Sequence, residues 1–186
     1  MIDEESDLRL GRILLTREKI AGRVREIADE ITRTYSGQEI VVVGILKGAV
    51  IFMTDLVRCV GNEVDVRMDF MSVSSYGSSS ESSGVVKIVK DMDTYVEGKN
   101  VLIVEDIMDT GLTLSYLRDV IGARSPKSVR ICVLLEKPER KKVENEIAYR
   151  GFIIPDEFVV GYGLDYAGRW RNLSDIWCVE EGRRGP

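Results

Sequence analysis

Between Val101 and Leu114 the chain reads VLIVEDIMDTGLTL, which sets three carboxylates beside a Thr-Gly-Leu-Thr turn. At a helix start the first backbone N–H groups lack intrahelical partners and the dipole adds partial positive charge, so Thr110, Gly111, Leu112 and Thr113 suit a phosphate. Gly111 would let the oxygens approach the backbone, and both threonine hydroxyls are donors. The adjacent Glu105 and Asp106, placed where a strand is expected to end, suit two vicinal sugar hydroxyls or a hydrated Mg²⁺. Asp109 is placed to act as a base on whatever faces the phosphate-bearing group. Taken singly, Asp109 reads as a helix N-cap and Glu105-Asp106 as a solvated loop. Taken together, three carboxylates followed directly by TGLT are hard to explain as packing.

The rest of the composition narrows the chemistry. There is no histidine in the 186 residues, which excludes a Ser-His-Asp or Cys-His site, a His-ligated zinc, a haem histidine and a phosphohistidine relay within one chain. A general base must then be a carboxylate, a lysine, a tyrosine or a thiolate. Lys+Arg 26 against Asp+Glu 31 gives a formal charge of -5, with no global attraction for nucleic acid or an anionic membrane. Cys59, Cys132 and Cys178 are far apart with apolar neighbours and read as small core residues in a reducing compartment. The acidic start MIDEESDLRLG does not read as a signal peptide, and the longest apolar region, Ile40 to Met53, is interrupted at Lys47 and too short to span a bilayer. A cytoplasmic protein with neither a nucleic-acid nor a membrane partner is expected.

These groups must be held by a scaffold, and the hydrophobic spacing describes one. Ile20, Val24, Ile27 and Ile31 recur at helical spacing from Arg17 to Tyr35, with Thr16 as cap and Ser36-Gly37 as stop. Ile40 to Leu46 is a continuous β-branched run, the pattern of a strand buried on both faces. Ala49 to Val60 returns to helical spacing, and Val64, Val66, Met68 and Phe70 alternate with polar residues as a strand with one apolar face. Further strands are predicted at Val85 to Val89, Val101 to Val104, Ser128 to Leu135 and Phe158 to Gly161, with a helix over Leu112 to Ile121. Alternating buried strands and helices predict an α/β fold with a parallel, doubly wound sheet, whose ligands lie beyond the carboxyl ends of the strands. Ser72 to Gly84 (SVSSYGSSSESSG) is too polar to order itself and reads as a flexible loop or an active-site lid.

The acidic pocket of a response-regulator receiver domain also has a VLIVED-like strand, but such a domain begins with it, and here one hundred residues come first. The wider set of motifs resembles the phosphoribosyltransferases, in particular those that act on hypoxanthine and guanine. It runs in the family's order from LKG at Leu46 to Gly48, through SSYG at Ser74 to Gly77 and VLIVEDIMDTG, to KPER from Lys137 and FVVGYGLDY with WRNL behind it.

The resemblance implies a type I phosphoribosyltransferase-like parallel sheet flanked by helices, a single domain over 1–186 with a lid near 72–84 and a small hood. The hood would come from the N-terminal segment and the region near 137–165. It implies transfer of ribose 5-phosphate from 5-phosphoribosyl-1-pyrophosphate to a 6-oxopurine, giving IMP or GMP and pyrophosphate with Mg²⁺. In that scheme Lys47 and Gly48 form a pyrophosphate loop with a non-proline cis peptide before the lysine, and Arg171 contacts the same group. Glu105 and Asp106 hold the ribose hydroxyls and one Mg²⁺ through water, Asp165 meets a second metal, and Thr110 to Thr113 hold the 5-phosphate. Asp109 takes the purine N7 proton, Lys137 donates to O6, Phe158 stacks on the ring, the Val159 backbone reads its edge, and Ser75 and Tyr76 close over the reacting centre. Leu112 and Glu157 replace basic residues of some members, which bears on purine preference at most. A homodimer or homotetramer is implied. Two alternatives stay open: a phosphoribosyltransferase-like RNA-binding regulator, which the acidic balance disfavours, and an enzyme preferring xanthine.

Overall fold

The β-branched run at Ile40 forms the spine of a computed structural model that describes residues 8–75 and 86–181. In chain order the elements are β1 (Leu8–Leu15), α1 (Arg17–Tyr35), β2 (Glu39–Leu46), α2 (Val50–Cys59), β3 (Asp65–Ser75), β4 (Val86–Lys90), β5 (Asn100–Met108), α3 (Leu112–Gly122), β6 (Ser128–Glu136), β7 (Tyr149–Ile153), β8 (Val159–Val160) and β9 (Ile176–Glu181). A short 3₁₀ turn, Pro138–Arg140, follows β6. Six strands form one sheet in the order β4-β3-β2-β5-β6-β7, and three form another in the order β1-β9-β8.

In the larger sheet β3, β2, β5, β6 and β7 pair in parallel. β2 is buried from Ile40 to Ile45 because alternate residues enter two different cores. Val42, Leu102, Val104, Cys132 and Leu134 pack with Ile27, Ile31, Phe52 and Leu56 of α1 and α2. Val41, Val43, Val101, Ile103, Ile131 and Val133 pack with Leu114, Leu117 and Ile121 of α3 on the opposite face. Each fully buried aliphatic side chain of this kind contributes roughly 1.5–3 kcal/mol. The two helical layers thus clamp the sheet and leave the loops beyond β2, β5 and β6 to carry chemistry. α1 has its predicted bounds, with Thr16 Oγ1 accepting the Lys19 N–H at 3.5 Å and Gly37 at φ 71° turning the chain away.

Several expectations are corrected. β4 joins the sheet antiparallel, so the sheet is mixed rather than wholly parallel. Ser72 to Ser75 are not loop but the end of β3, paired with β4; a backbone ladder needs no apolar side chains to form at a sheet edge. The remainder of the expected lid, with Tyr76, lies outside the described residues. β5 runs on to Met108, so Glu105 and Asp106 lie within the strand rather than at its end. The last predicted strand shrinks to Val159–Val160, leaving Phe158 before it. Cys59 is exposed on the last turn of α2, while Cys132 and Cys178 are buried as expected. Among the described residues no helix is long and apolar enough to cross a membrane.

Candidate active site

The site assembles beyond the carboxyl ends of β2, β5 and β6. After β5 the chain turns through Asp109 and Thr110 into α3, whose N-cap is Gly111 at φ 82° with no side-chain cap bond. Asp109 is therefore not the cap, and its carboxylate is left for other work. A Cβ on Gly111 would lie 2.7 Å from both Asn145 Nδ2 and the Val143 carbonyl oxygen, so only glycine fits both the φ and the space. That contact is part of a clamp: Asn145 Nδ2 donates to the Gly111 carbonyl (2.9 Å), while the Lys142 and Val143 N–H groups donate to the Thr110 carbonyl (2.9 and 3.2 Å). In front of the turn lies a cup of about 100 Å³, lined by Glu105, Asp109, Thr110, Gly111 and Thr113 among others. Its size and its helix-start amides suit one phosphate.

Glu105 borders this cup with its Oε2 enclosed and without a hydrogen-bond partner. Burial, followed by the neighbouring Asp106 charge and a hydrogen bond with Asp106, holds its carboxyl well above the usual range. Asp106 is also pushed up, by burial, against the opposing pull of its bond with Glu105 and of the Ile107 N–H, which donates to Oδ1 at 2.8 Å. A buried carboxylate beside a half-buried one whose Oε2 is enclosed and unpartnered is short of positive charge, and a divalent cation would supply it. Among the described residues no three such ligands cluster into a metal cage.

The loop after β2 meets this pair from the other side. The Leu46–Lys47 peptide is cis, and a Cβ on Gly48 would overlap Asp106 Oδ2 at 1.6 Å. Gly163, at φ 103°, packs in turn on the Gly48 carbonyl. Arg171 locks the hairpin that carries Gly163: Nη1 donates to the Gly163 carbonyl at 2.6 Å and Nη2 pairs with Asp165 Oδ1 at 2.6 Å. Asp165 Oδ2 accepts the Gly168 N–H at 2.6 Å, and the Arg171 charge reaches Asp106. Lys47, Gly48, Asp106, Asp165 and Arg171 thus share one corner. Beneath it the Tyr162 hydroxyl donates to Asp55 Oδ2 of α2 at 2.7 Å.

At the other end of the cleft Lys137 is 6% exposed, unusual for a lysine, with its N–H donating to the Met108 carbonyl and its Nζ 3.5 Å from Asp156 Oδ1. Arg140 Nη1 lies 3.6 Å from the same oxygen, and Arg140 Nε lies 3.0 Å from Asp109 Oδ1. Phe158 is 51% exposed, held edge-on by Tyr166 at 5.8 Å, while Val159 behind it is buried. Glu157, next to it, pairs with Arg12 of β1. Of the residues singled out in the sequence, Glu105, Asp109, Thr110, Gly111 and Thr113 line the cup and Leu112 opens α3, Lys47, Gly48, Asp106, Asp165 and Arg171 share the adjoining corner, and Lys137 reaches Asp109 through Asp156 and Arg140, with Phe158 and Val159 shortly after Asp156; Ser75 ends β3 and Tyr76 is outside the described residues. Arg140, Asp156 and Asn145 were not singled out. Arg140 stands within the KPER motif and could have been, whereas Asp156 and Asn145 carry no local signal.

The phosphoribosyl transferase domain model matches residues 12–167. The chain is 50% identical over 174 residues to a hypoxanthine-guanine phosphoribosyltransferase of Mycobacterium tuberculosis (strain ATCC 25618 / H37Rv), covering 90% of this chain and 85% of the relative. It is 52% identical over 171 residues to the bifunctional protein TilS/HprT of Listeria monocytogenes serotype 4b (strain F2365), covering 92% of this chain but 26% of that protein, so it spans about a quarter of that relative's length. A crystal structure of a hypoxanthine-guanine phosphoribosyltransferase from Bacillus anthracis superposes with a TM-score of 0.87 at 47% identity, covering 91% of this chain and 99% of that one.

Proposed function

The chain belongs to the phosphoribosyl transferase domain family, and from that premise we propose that it transfers the 5-phosphoribosyl group of 5-phosphoribosyl-1-pyrophosphate to a 6-oxopurine. Hypoxanthine or guanine is the acceptor, and IMP or GMP and pyrophosphate are the products of this purine salvage. One observation supports the reading: Asp109 lines the small cup at the start of α3 and is joined through Arg140 and Asp156 to the buried Lys137, as a base and a donor meeting the same purine edge would be.

In the reaction the bond from the anomeric carbon to the pyrophosphate oxygen breaks, a purine nitrogen takes its place, and the purine loses a proton. The turn from Thr110 to Thr113 anchors the 5-phosphate, fixing the ribose relative to both ends of the cleft. Lys47, the Gly48 backbone and Arg171 meet the negative charge that gathers on departing pyrophosphate. Glu105 and Asp106 hold the ribose hydroxyls. With Asp165 on the pyrophosphate side, they are also the residues that would hold Mg²⁺, which supplies charge neutralisation at the diphosphate when bound. Asp109 accepts the N7 proton and Lys137 donates to O6, so an amino group at that position would set a donor against the lysine's own donors. Phe158 gives the ring a stacking face, with the Val159 backbone at its edge.

The β1-β9-β8 sheet, with the region from Lys137 to Asp165, would serve as the hood over the base end, and what remains of the expected lid, residues 76–84 with Tyr76, would exclude water. A cytoplasmic location and a homodimeric or homotetrameric assembly complete the proposal.

The test is incubation with 5-phosphoribosyl-1-pyrophosphate, Mg²⁺ and one purine at a time. Nucleotide should form with hypoxanthine or guanine and not with adenine. No nucleotide from hypoxanthine, guanine or xanthine would overturn the reading, and turnover confined to xanthine would reassign the acceptor.

A further inference from the structure

Asp109 has a lopsided environment. Its side chain is 39% exposed, yet Oδ1 is enclosed and accepts no hydrogen bond among the described residues, so the exposed polar atom is Oδ2. The cation beside the enclosed oxygen is Arg140, whose Nε lies 3.0 Å away. The same guanidinium sends Nη1 toward Asp156 Oδ1 at 3.6 Å, and that oxygen lies 3.5 Å from the Lys137 ammonium. Charges therefore alternate along one line, from Lys137 through Asp156 and Arg140 to Asp109. The 3₁₀ turn makes the line possible: the Arg140 N–H donates to the Lys137 carbonyl at 3.3 Å, which brings the ends of KPER to one side.

We propose that Arg140 is a positioning residue for the general base, gripping Asp109 by Oδ1 so that Oδ2 is the oxygen presented to the purine, with Asp156 tying that grip to Lys137. The inference rests on the proposed transferase reading, in which Asp109 and Lys137 contact the purine. A carboxylate with no other anchor rotates about two side-chain bonds, and a misplacement on the order of 1 Å can lower a rate by about 10²-fold. An arginine suits the task because its delocalised guanidinium spreads one charge over Nε and Nη1, which face Asp109 and Asp156 at once, whereas an ammonium is a single point charge. Arg140 and Asp109 are both partly exposed, so the pair adds little to stability, and its effect should appear in the rate.

The test is a double-mutant cycle read as single-turnover nucleotide formation with saturating 5-phosphoribosyl-1-pyrophosphate and Mg²⁺. Arg140→Ala should lower the rate with hypoxanthine by about 10- to 100-fold, leave the KM for 5-phosphoribosyl-1-pyrophosphate and the melting temperature near wild type, and be partly restored in Arg140→Lys. In an Asp109→Asn background the same change should add nothing, because there is no base left to orient. A wild-type rate for Arg140→Ala would overturn the inference alone, as would an equal loss in both backgrounds, which marks a purely structural role. A wild-type chain inactive with every 6-oxopurine would instead overturn the transferase reading, and the inference with it.

Discussion

Replacing Gly111 by alanine probes the phosphate seat with the smallest possible change. The residue sits at φ 82°, where an L-residue with a Cβ is strained, and the new methyl would lie 2.7 Å from Asn145 Nδ2 and from the Val143 carbonyl oxygen. The left-handed conformation alone costs roughly 1–2 kcal/mol. The backbone contact cannot be relieved by a rotamer change, since the opposing atom is a carbonyl whose own N–H is bonded to Thr110. Either the 142–145 clamp retreats or the turn moves toward the cup, and both disturb the amides proposed to hold the phosphate. If about 2 kcal/mol falls on the folded state, the melting temperature should drop by roughly 4–8 °C in a chain of this size. If it falls instead on the bound geometry, the KM for 5-phosphoribosyl-1-pyrophosphate should rise by about 10- to 100-fold. Thermal denaturation with and without that substrate, together with its KM, measures both. A variant that melts and binds like wild type would refute the claim that this turn is shaped by its left-handed glycine.

Two other perturbations test the supports of the site. Tyr162→Phe removes the charge-assisted bond to Asp55, which anchors the hairpin bearing Gly163 and Asp165, and should cost about 1.5–3 kcal/mol in denaturant unfolding; an unchanged midpoint would show that the bond is not an anchor. Asp69 is 8% exposed, and although burial pushes its carboxyl up, bonds from the Thr94 side chain and from the Phe70, Thr94 and Asp93 N–H groups outweigh this and hold it below its ordinary value. Its stabilisation is therefore complete above the unfolded aspartate range and lost as pH falls through the lower folded value. Asp69→Asn should lower stability at neutral pH and flatten that acid limb, and a variant with the wild-type pH profile of stability would contradict this.

How much of this was legible depended on whether the signal was local. The run from Ile40 to Ile45 announced a strand buried on both faces because both helical layers demand apolar residues at successive positions. The turn from Asp109 to Thr113 reads as a phosphate seat from its residue types, and in the fold Asp109, Thr110, Gly111 and Thr113 line a small cup at the start of α3. β1 was invisible because its apolar residues break period two at register shifts between Leu10, Ile13 and Leu15, and its partner β9 lies at the far end of the chain. The extension of β5 through Glu105 and Asp106 was missed because carboxylates in a strand look like its end until a neighbouring strand is seen to pair with them. Asn145 and Asp156 were unreadable for a different reason: Asn145 meets Gly111 only where the chain returns over the TGLT turn, and Asp156 meets Lys137 and Arg140 only once β7 has paired with β6. The exposed Cys59 is a reminder that apolar neighbours in sequence do not settle which side of a helix a residue faces.

The central claim is that a chain without histidine moves the purine proton with Asp109, and the measurement closest to it is turnover and substrate affinity in Asp109→Asn. The amide keeps the shape but cannot take a proton, so kcat with hypoxanthine or guanine should fall by roughly 10²- to 10⁴-fold, while 5-phosphoribosyl-1-pyrophosphate binds as in wild type. An unchanged kcat would contradict the account and leave Asp109 with no part in the chemistry.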